Sequence, residues 1–160
     1  MKPVLVVAVA SALAMGCASA YQRTYDKTYD QLESQADVEQ KHEEAAHAEA
    51  KQYASVVYFA IGSSLIDAEG QREIAWFLGK MQPFPKAVID VQGFTDSTGA
   101  EATNTALSMQ RTQAVVNALV SGGIAPERIR QAHYGANYQA ATNATQQGRR
   151  NNRRVEISVQ

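Results

Sequence analysis

Asp96 and Arg111 are the pair of side chains in this sequence best suited to chemistry. Asp96 lies in Gly93-Phe94-Thr95-Asp96-Ser97-Thr98-Gly99, a glycine-bounded turn, and Arg111 follows fifteen residues later. A carboxylate and a guanidinium a few ångströms apart suit a zwitterionic ligand, because each end of the ligand meets its opposite charge in a charge-assisted hydrogen bond. Asp96 can accept an ammonium group or pair with Arg111, and Thr95 and Ser97 add short hydroxyl donors. A plainer arrangement uses the same residues structurally: Asp96 caps the turn and Arg111 closes a salt bridge. Spacing leaves both open.

Other chemistries find less to work with. Ser108 sits three residues before Arg111, but no His or Lys is placed to act as its base. His133 falls on a strand, where a core or rim place is the commoner fate. His42 and His47 are five apart, about 140° round a helix, which misses the four-residue spacing of zinc peptidase helices. The lone Cys17 excludes an intramolecular disulfide framework and a cysteine-built metal cluster. No catalytic residue, metal site or cofactor is therefore expected. Arg149, Arg150, Arg153 and Arg154 crowd the last twelve residues and could neutralise phosphates. No aromatic platform is interleaved with them, so a nucleic-acid partner is not expected.

The elements that must carry these residues follow from composition and pattern. At 160 residues, with 45% hydrophobic and 19% charged side chains, the chain suits one globular domain with a little left over. A formal charge of −1 conceals an asymmetry: residues 21–52 carry a net −4 and residues 53–160 a net +2. Met1-Lys2 is a short basic start, and Val4 to Ala14 is an apolar run too short to span a bilayer, which reads as an export signal. Leu13-Ala14-Met15-Gly16-Cys17 is similar to a bacterial lipobox, whose cysteine becomes the acylated first residue. Ala18-Ser19-Ala20 offers a rival cleavage site that would release a soluble protein starting at Tyr21. A lipid attachment point accounts for a free thiol in an oxidising compartment, whereas soluble release leaves it unexplained.

Residues 17–52 form a polar spacer. Tyr21, Tyr25, Tyr29, Leu32 and Ala36 recur at helical spacing, and His42 to Lys51 has good helix formers with nothing large to bury. A helical or partly disordered segment outside the core is expected. From residue 53 the punctuation is regular. Strands are predicted over Ser55–Ala60, Lys86–Gln92, Ile129–Tyr134 and Arg154–Gln160. In the last of these Val155, Ile157 and Val159 point inward and Arg154, Glu156 and Ser158 outward. Helices are predicted from an Asp67 cap with Ile74, Phe77, Leu78 and Met81 buried, from Ala100 to Ser121, and weakly from Asn143 to Asn151. The order β-α-β-α-β-α-β makes a four-stranded sheet with helices packed on it.

The long helix contains an anomaly. Val115, Ala118 and Leu119 share one stripe, and the same stripe projected back carries Asn104, Leu107, Ser108 and Arg111. A charge aimed at a core is costly unless paired, so Arg111 needs a partner or a cleft.

These segments together resemble a known family. Gly93–Gly99, Asn104, Leu107-Ser108-x-x-Arg111, Tyr134-Gly135, Asn143-x-Thr145, Gly148-Arg149 and Asn152-Arg153-Arg154-Val155-Glu156 are similar to motifs of the OmpA-like C-terminal domain, a peptidoglycan-binding module of bacterial outer-membrane proteins and lipoproteins. The resemblance covers residues 53–160 and implies an α+β fold with a mixed sheet. It implies that Asp96 takes the ammonium and Arg111 the carboxylate of meso-diaminopimelate in the stem peptide. Thr95 would join the ligand site, Asn104 would hold the loop or touch the ligand, and Arg153 would border the pocket. Two positions depart from the family: Phe94 stands where a His is usual, and Gln139 where a Pro is usual. The expected organisation is a signal over residues 1–16, a lipid-anchored spacer over 17–52 and the binding domain over 53–160. With Cys17 acylated, the protein would tether the outer membrane to peptidoglycan from its periplasmic side. The alternative is a soluble periplasmic protein, binding or modifying the cell wall, released after Ala20.

Overall fold

The computed structural model of the chain describes residues 15–160, with side chains from Tyr21 onward. The expected export signal thus lies almost wholly outside the described residues, and for Cys17 only the helical backbone is described. The chain divides after Glu43 into two units.

The described part of the first unit is helical. Helix α1 (Met15–Ala50) enters it and continues into the second unit. Within it Gln22 donates to the Asp26 carboxylate four residues on, and Tyr25 and Tyr29 stack at 6.3 Å between centroids. Tyr21, Tyr25, Tyr29, Leu32 and Val38 are exposed. No helix among the described residues is long and apolar enough to cross a membrane.

The second unit is Glu44–Gln160. Ala50 is fully buried and Ala46, one turn before it, packs against the core. A search for large apolar side chains passes over these positions, but a small side chain lets a helix approach a core closely. The unit then runs β1 (Ala54–Tyr58), α2 (Ala68–Met81), β2 (Ile89–Gly93), α3 (Glu101–Ser121), a 3-10 turn (Pro126–Arg128), β3 (Ile129–His133), α4 (Gln146–Asn152) and β4 (Arg154–Val159). The predicted order holds, with ends shifted by a few residues.

The sheet order is β1-β4-β2-β3. Strand β4 lies antiparallel between β1 and β2, and β3 pairs parallel to β2, so the sheet is mixed. Register places Val57 beside Val155 and Val91 beside Ile157, which sets the apolar residues of three strands on one face. Helix α2, capped by Asp67 accepting from the Gly70 N–H at 2.9 Å, covers that face beside β1 with Ile74, Phe77 and Met81. Helix α3 covers it beside β2 and β3 with Val115 and Leu119. Leu78, predicted in the core, is half-buried at its margin.

Arg154 departs from expectation. It alternates away from Val155, as predicted, yet it is only 6% exposed. Its guanidinium lies 4.0 Å from the Phe94 ring centroid and its Nε donates to Glu156 at 2.6 Å. Alternation assigns a residue to a face of the sheet but cannot tell whether a loop covers that face.

Candidate functional site

The site is built where β2 ends and α3 begins. Gly93 closes β2, and a Cβ there would collide with the Thr112 hydroxyl and the Ser108 carbonyl. Glycine is thus what lets the polar half of α3 lie against the strand end. Thr112 donates to the Ser108 carbonyl at 2.9 Å, and the Ser108 hydroxyl donates to Thr105 and accepts from the Gly135 N–H at 3.1 Å. These bonds satisfy the polar stripe with neighbouring backbone.

Arg111, one turn further on, is fully buried. Its Nε donates to the Ser63 carbonyl at 2.8 Å, Nη2 to Ala60 at 2.9 Å and Nη1 to Phe94 at 3.3 Å. It also lies 5.2 Å from the Phe59 ring centroid. No carboxylate among the described residues reaches it, so the Asp96–Arg111 salt bridge that the spacing allowed is not formed.

Asp96 pairs instead with Arg153, whose Nη1 donates to Oδ2 at 2.9 Å; the Arg153 Nε donates to the Phe59 carbonyl at 3.0 Å. The other carboxylate oxygen accepts from the Thr98 N–H at 2.9 Å, so Asp96 does close its own turn. Burial alone would raise the Asp96 carboxyl, but bonds from Arg153 and Thr98 outweigh it and hold the group below its usual range. For Arg111 burial dominates, the like charge of Arg153 adds to it, and Asp96 offsets part; the guanidinium falls to about 10 and stays charged at neutral pH.

Two buried guanidiniums and one buried carboxylate therefore share the site. Thr95 borders them: its N–H donates to the Gly135 carbonyl at 2.7 Å, and its buried hydroxyl has no protein partner among the described residues. Asn104 is buried in the first turn of α3, on the stripe that leads to Arg111. On the far side of Arg153 opens a cleft of about 270 Å³. Its lining includes Phe59 and Ala60, the basic Arg150 and Arg153, and the acidic Glu69 and Glu73.

The structure thus joins Asp96 directly to Arg153 and bonds Arg111 to the carbonyl of Phe94, the residue before Thr95. Sequence reasoning missed three contributors. The Phe59–Ser63 segment supplies carbonyls to both arginines, which no side-chain pattern signals. Asn152, fully buried, accepts from the N–H groups of Ala140 and Ala141 at 2.9 Å and donates to Ala141 and to Asn143 Oδ1. Asn143 Oδ1 in turn accepts from the Ser97 N–H at 3.2 Å and so reaches the Asp96 loop. Both asparagines stand in motifs already noticed, but without a role. The third is Gly148 in α4, where a Cβ would strike the Thr142 carbonyl.

Comparison with known proteins bears on this arrangement. Residues 58–153 match the model of the OmpA family. The chain is 35% identical over 103 residues to the probable lipoprotein YiaD of Escherichia coli K12, covering 64% of this chain and 47% of that protein. It is 40% identical over 100 residues to the peptidoglycan-binding protein ArfA of Mycobacterium tuberculosis H37Rv, covering 61% of this chain and 30% of that protein. The chain therefore spans less than half the length of these relatives. The crystal structure of the peptidoglycan-associated lipoprotein from Burkholderia pseudomallei superposes with a TM-score of 0.63 at 25% identity, over 66% of this chain and 90% of that one.

Proposed function

The chain belongs to the OmpA family, and from that premise we propose that its second unit binds peptidoglycan non-covalently through a zwitterion clasp built on Asp96 and Arg111. One observation carries the reading. Arg111 is buried and bonded only to neutral carbonyls, while the nearby acid, Asp96, is engaged by Arg153. A buried cation without a counter-charge is costly, and a ligand carboxylate would complete it. The Asp96 carboxylate would accept from the ligand ammonium while still accepting from Arg153. Thr95 brings a hydroxyl that lacks a partner, and Asn104 stands on the same stripe. The zwitterionic end of meso-diaminopimelate in a stem peptide has this chemistry. Reaching Arg111 requires the Ala60 and Ser63 carbonyls to yield to the incoming carboxylate. The bonds lost and gained are both made by a guanidinium, so what favours the exchange is the full negative charge that a carboxylate brings and a carbonyl does not.

The anchoring half of the proposal rests on Cys17. Acylated there, the protein would sit in the outer membrane facing the periplasm, with residues 17–43 as a helical spacer about 40 Å long at 1.5 Å per residue. It would tether membrane to wall without catalysis. Cleavage after Ala20 would instead yield a soluble periplasmic wall-binding protein. Radiolabelled palmitate incorporation by wild type but not Cys17→Ser would establish the anchor; labelling of neither would favour soluble release.

The clasp is tested by co-sedimentation of the chain with purified sacculi. Wild type is expected to pellet, and Asp96→Asn and Arg111→Lys to stay in the supernatant while circular dichroism reports them folded. If all three pellet alike, other surfaces carry binding and the clasp is wrong.

A further inference from the structure

Tyr138 is the one non-glycine residue among the described residues with a left-handed backbone, at φ 58°. That region crowds Cβ against the following carbonyl and is the natural place for Gly or Asn. Bonds on both sides hold Tyr138 there. The Asn137 N–H donates to the Tyr134 carbonyl at 3.1 Å, and Arg154 Nη2 donates to the Tyr138 carbonyl at 3.3 Å. Just beyond, the N–H groups of Ala140 and Ala141 are fixed on Asn152 Oδ1. Backbone strain that its surroundings over-determine gathers at ligand contacts.

What the strain presents is an aromatic residue, 72% exposed. The ring is backed rather than isolated. It meets Tyr134 edge-on at 5.1 Å, Tyr134 stacks on Phe94 at 5.4 Å, and the Arg154 guanidinium lies 4.0 Å from Phe94. Phe94 immediately precedes Thr95 and Asp96, so the aromatic group is continuous with the clasp. Phe94 is the inner member of the stack.

We propose that Tyr138 is a saccharide-stacking subsite, taking an N-acetylhexosamine ring of the glycan strand whose stem peptide the clasp holds. The inference rests on the peptidoglycan reading and adds a second ligand class to it. One face of a pyranose is a sheet of C–H bonds, apolar and partly positive, which packs on the electron-rich face of an aromatic ring. A tyrosine fixed by its backbone loses little freedom in making that contact.

Titration calorimetry on the full chain with two probes tests it. One probe is the free stem tripeptide ending in meso-diaminopimelate; the other is the same tripeptide on its disaccharide of N-acetylglucosamine and N-acetylmuramic acid. Wild type is expected to bind the disaccharide-tripeptide about fivefold more tightly than the tripeptide, the size of one aromatic contact. Tyr138→Ala should erase that difference and leave tripeptide affinity unchanged, and Tyr138→Trp should keep it. Tyr138→Gly should raise the thermal midpoint by relieving the strained backbone, yet lose the saccharide increment, which a purely structural tyrosine would not do. The subsite is overturned if the tripeptide binds but Tyr138→Ala keeps the disaccharide advantage, or if wild type shows none. Failure of wild type to bind either probe overturns the peptidoglycan reading itself, and the subsite with it.

Discussion

Thr28 in the first unit and Thr112 in α3 make the same local bond. Each hydroxyl donates to the carbonyl four residues back, at 2.8 Å to Thr24 and at 2.9 Å to Ser108. Thr28 is exposed, whereas Thr112 is 1% exposed and its hydroxyl also reaches the Ala132 carbonyl at 3.3 Å. The wider helices repeat the contrast. Over residues 21–43, α1 turns polar side chains into water, where each keeps its solvation at no cost. Helix α3 turns Asn104, Ser108, Arg111 and Thr112 inward, where the cost of leaving a group unpaired is large. Similar residues on similar helices are surface in one place and site in the other. Burial, not residue type, makes the difference.

Substitution at the two arms of this comparison should give very unequal effects. Arg111→Ala removes a fully buried side chain and its three bonds to backbone carbonyls, and should cost about 3 kcal/mol or more in urea unfolding. Lys27→Ala on α1 should shift the same transition by less than about 0.5 kcal/mol. Equal effects would mean that Arg111 is not held as described.

A finer comparison uses the two threonines. Thr112→Val keeps the shape and deletes a buried hydroxyl, at an expected cost of about 1–2 kcal/mol, while Thr28→Val should be neutral within about 0.5 kcal/mol. Unfolding curves of the pair in one buffer would check this, and a costly Thr28→Val would show that α1 is less independent than its exposure says.

The smallest expected effect is a pH dependence. The Asp96 carboxyl lies below its usual value in the folded chain, so the folded state binds its proton more weakly than the unfolded state. Its contribution is fully present above the ordinary Asp pKa of about 3.9 and fades as pH falls through the lowered folded value. Wild type should therefore lose stability more steeply than Asp96→Asn as pH falls below about 4. Parallel profiles would detach Asp96 from the Arg153 pair.

Much of the fold was legible from pattern. Ile74, Phe77 and Met81 at helical spacing, and Val155, Ile157 and Val159 at alternating spacing, are read from one segment at a time because each element must turn one face to the core. The candidate site was legible only in part. Asp96, Arg111, Thr95, Asn104 and Arg153 were all singled out, and all are buried. Their wiring was not foreseen: Asp96 lies fifteen residues from Arg111 but pairs with Arg153, fifty-seven residues away. Ala46 and Ala50 escaped notice because small side chains carry no pattern of their own.

By itself the sequence determined the elements, their order, the inward stripe of polar residues on α3, and the two motifs that carry Asp96 and Arg111. Those features depend on local sterics and periodicity, which a short window contains. Only the tertiary structure decided that β4 lies between β1 and β2, bringing Arg153 to Asp96, and that the Phe59–Ser63 carbonyls close over Arg111. Charge pairing and carbonyl placement depend on distances across the sheet and through its loops. Those distances are set by how whole elements pack, and no residue type encodes them.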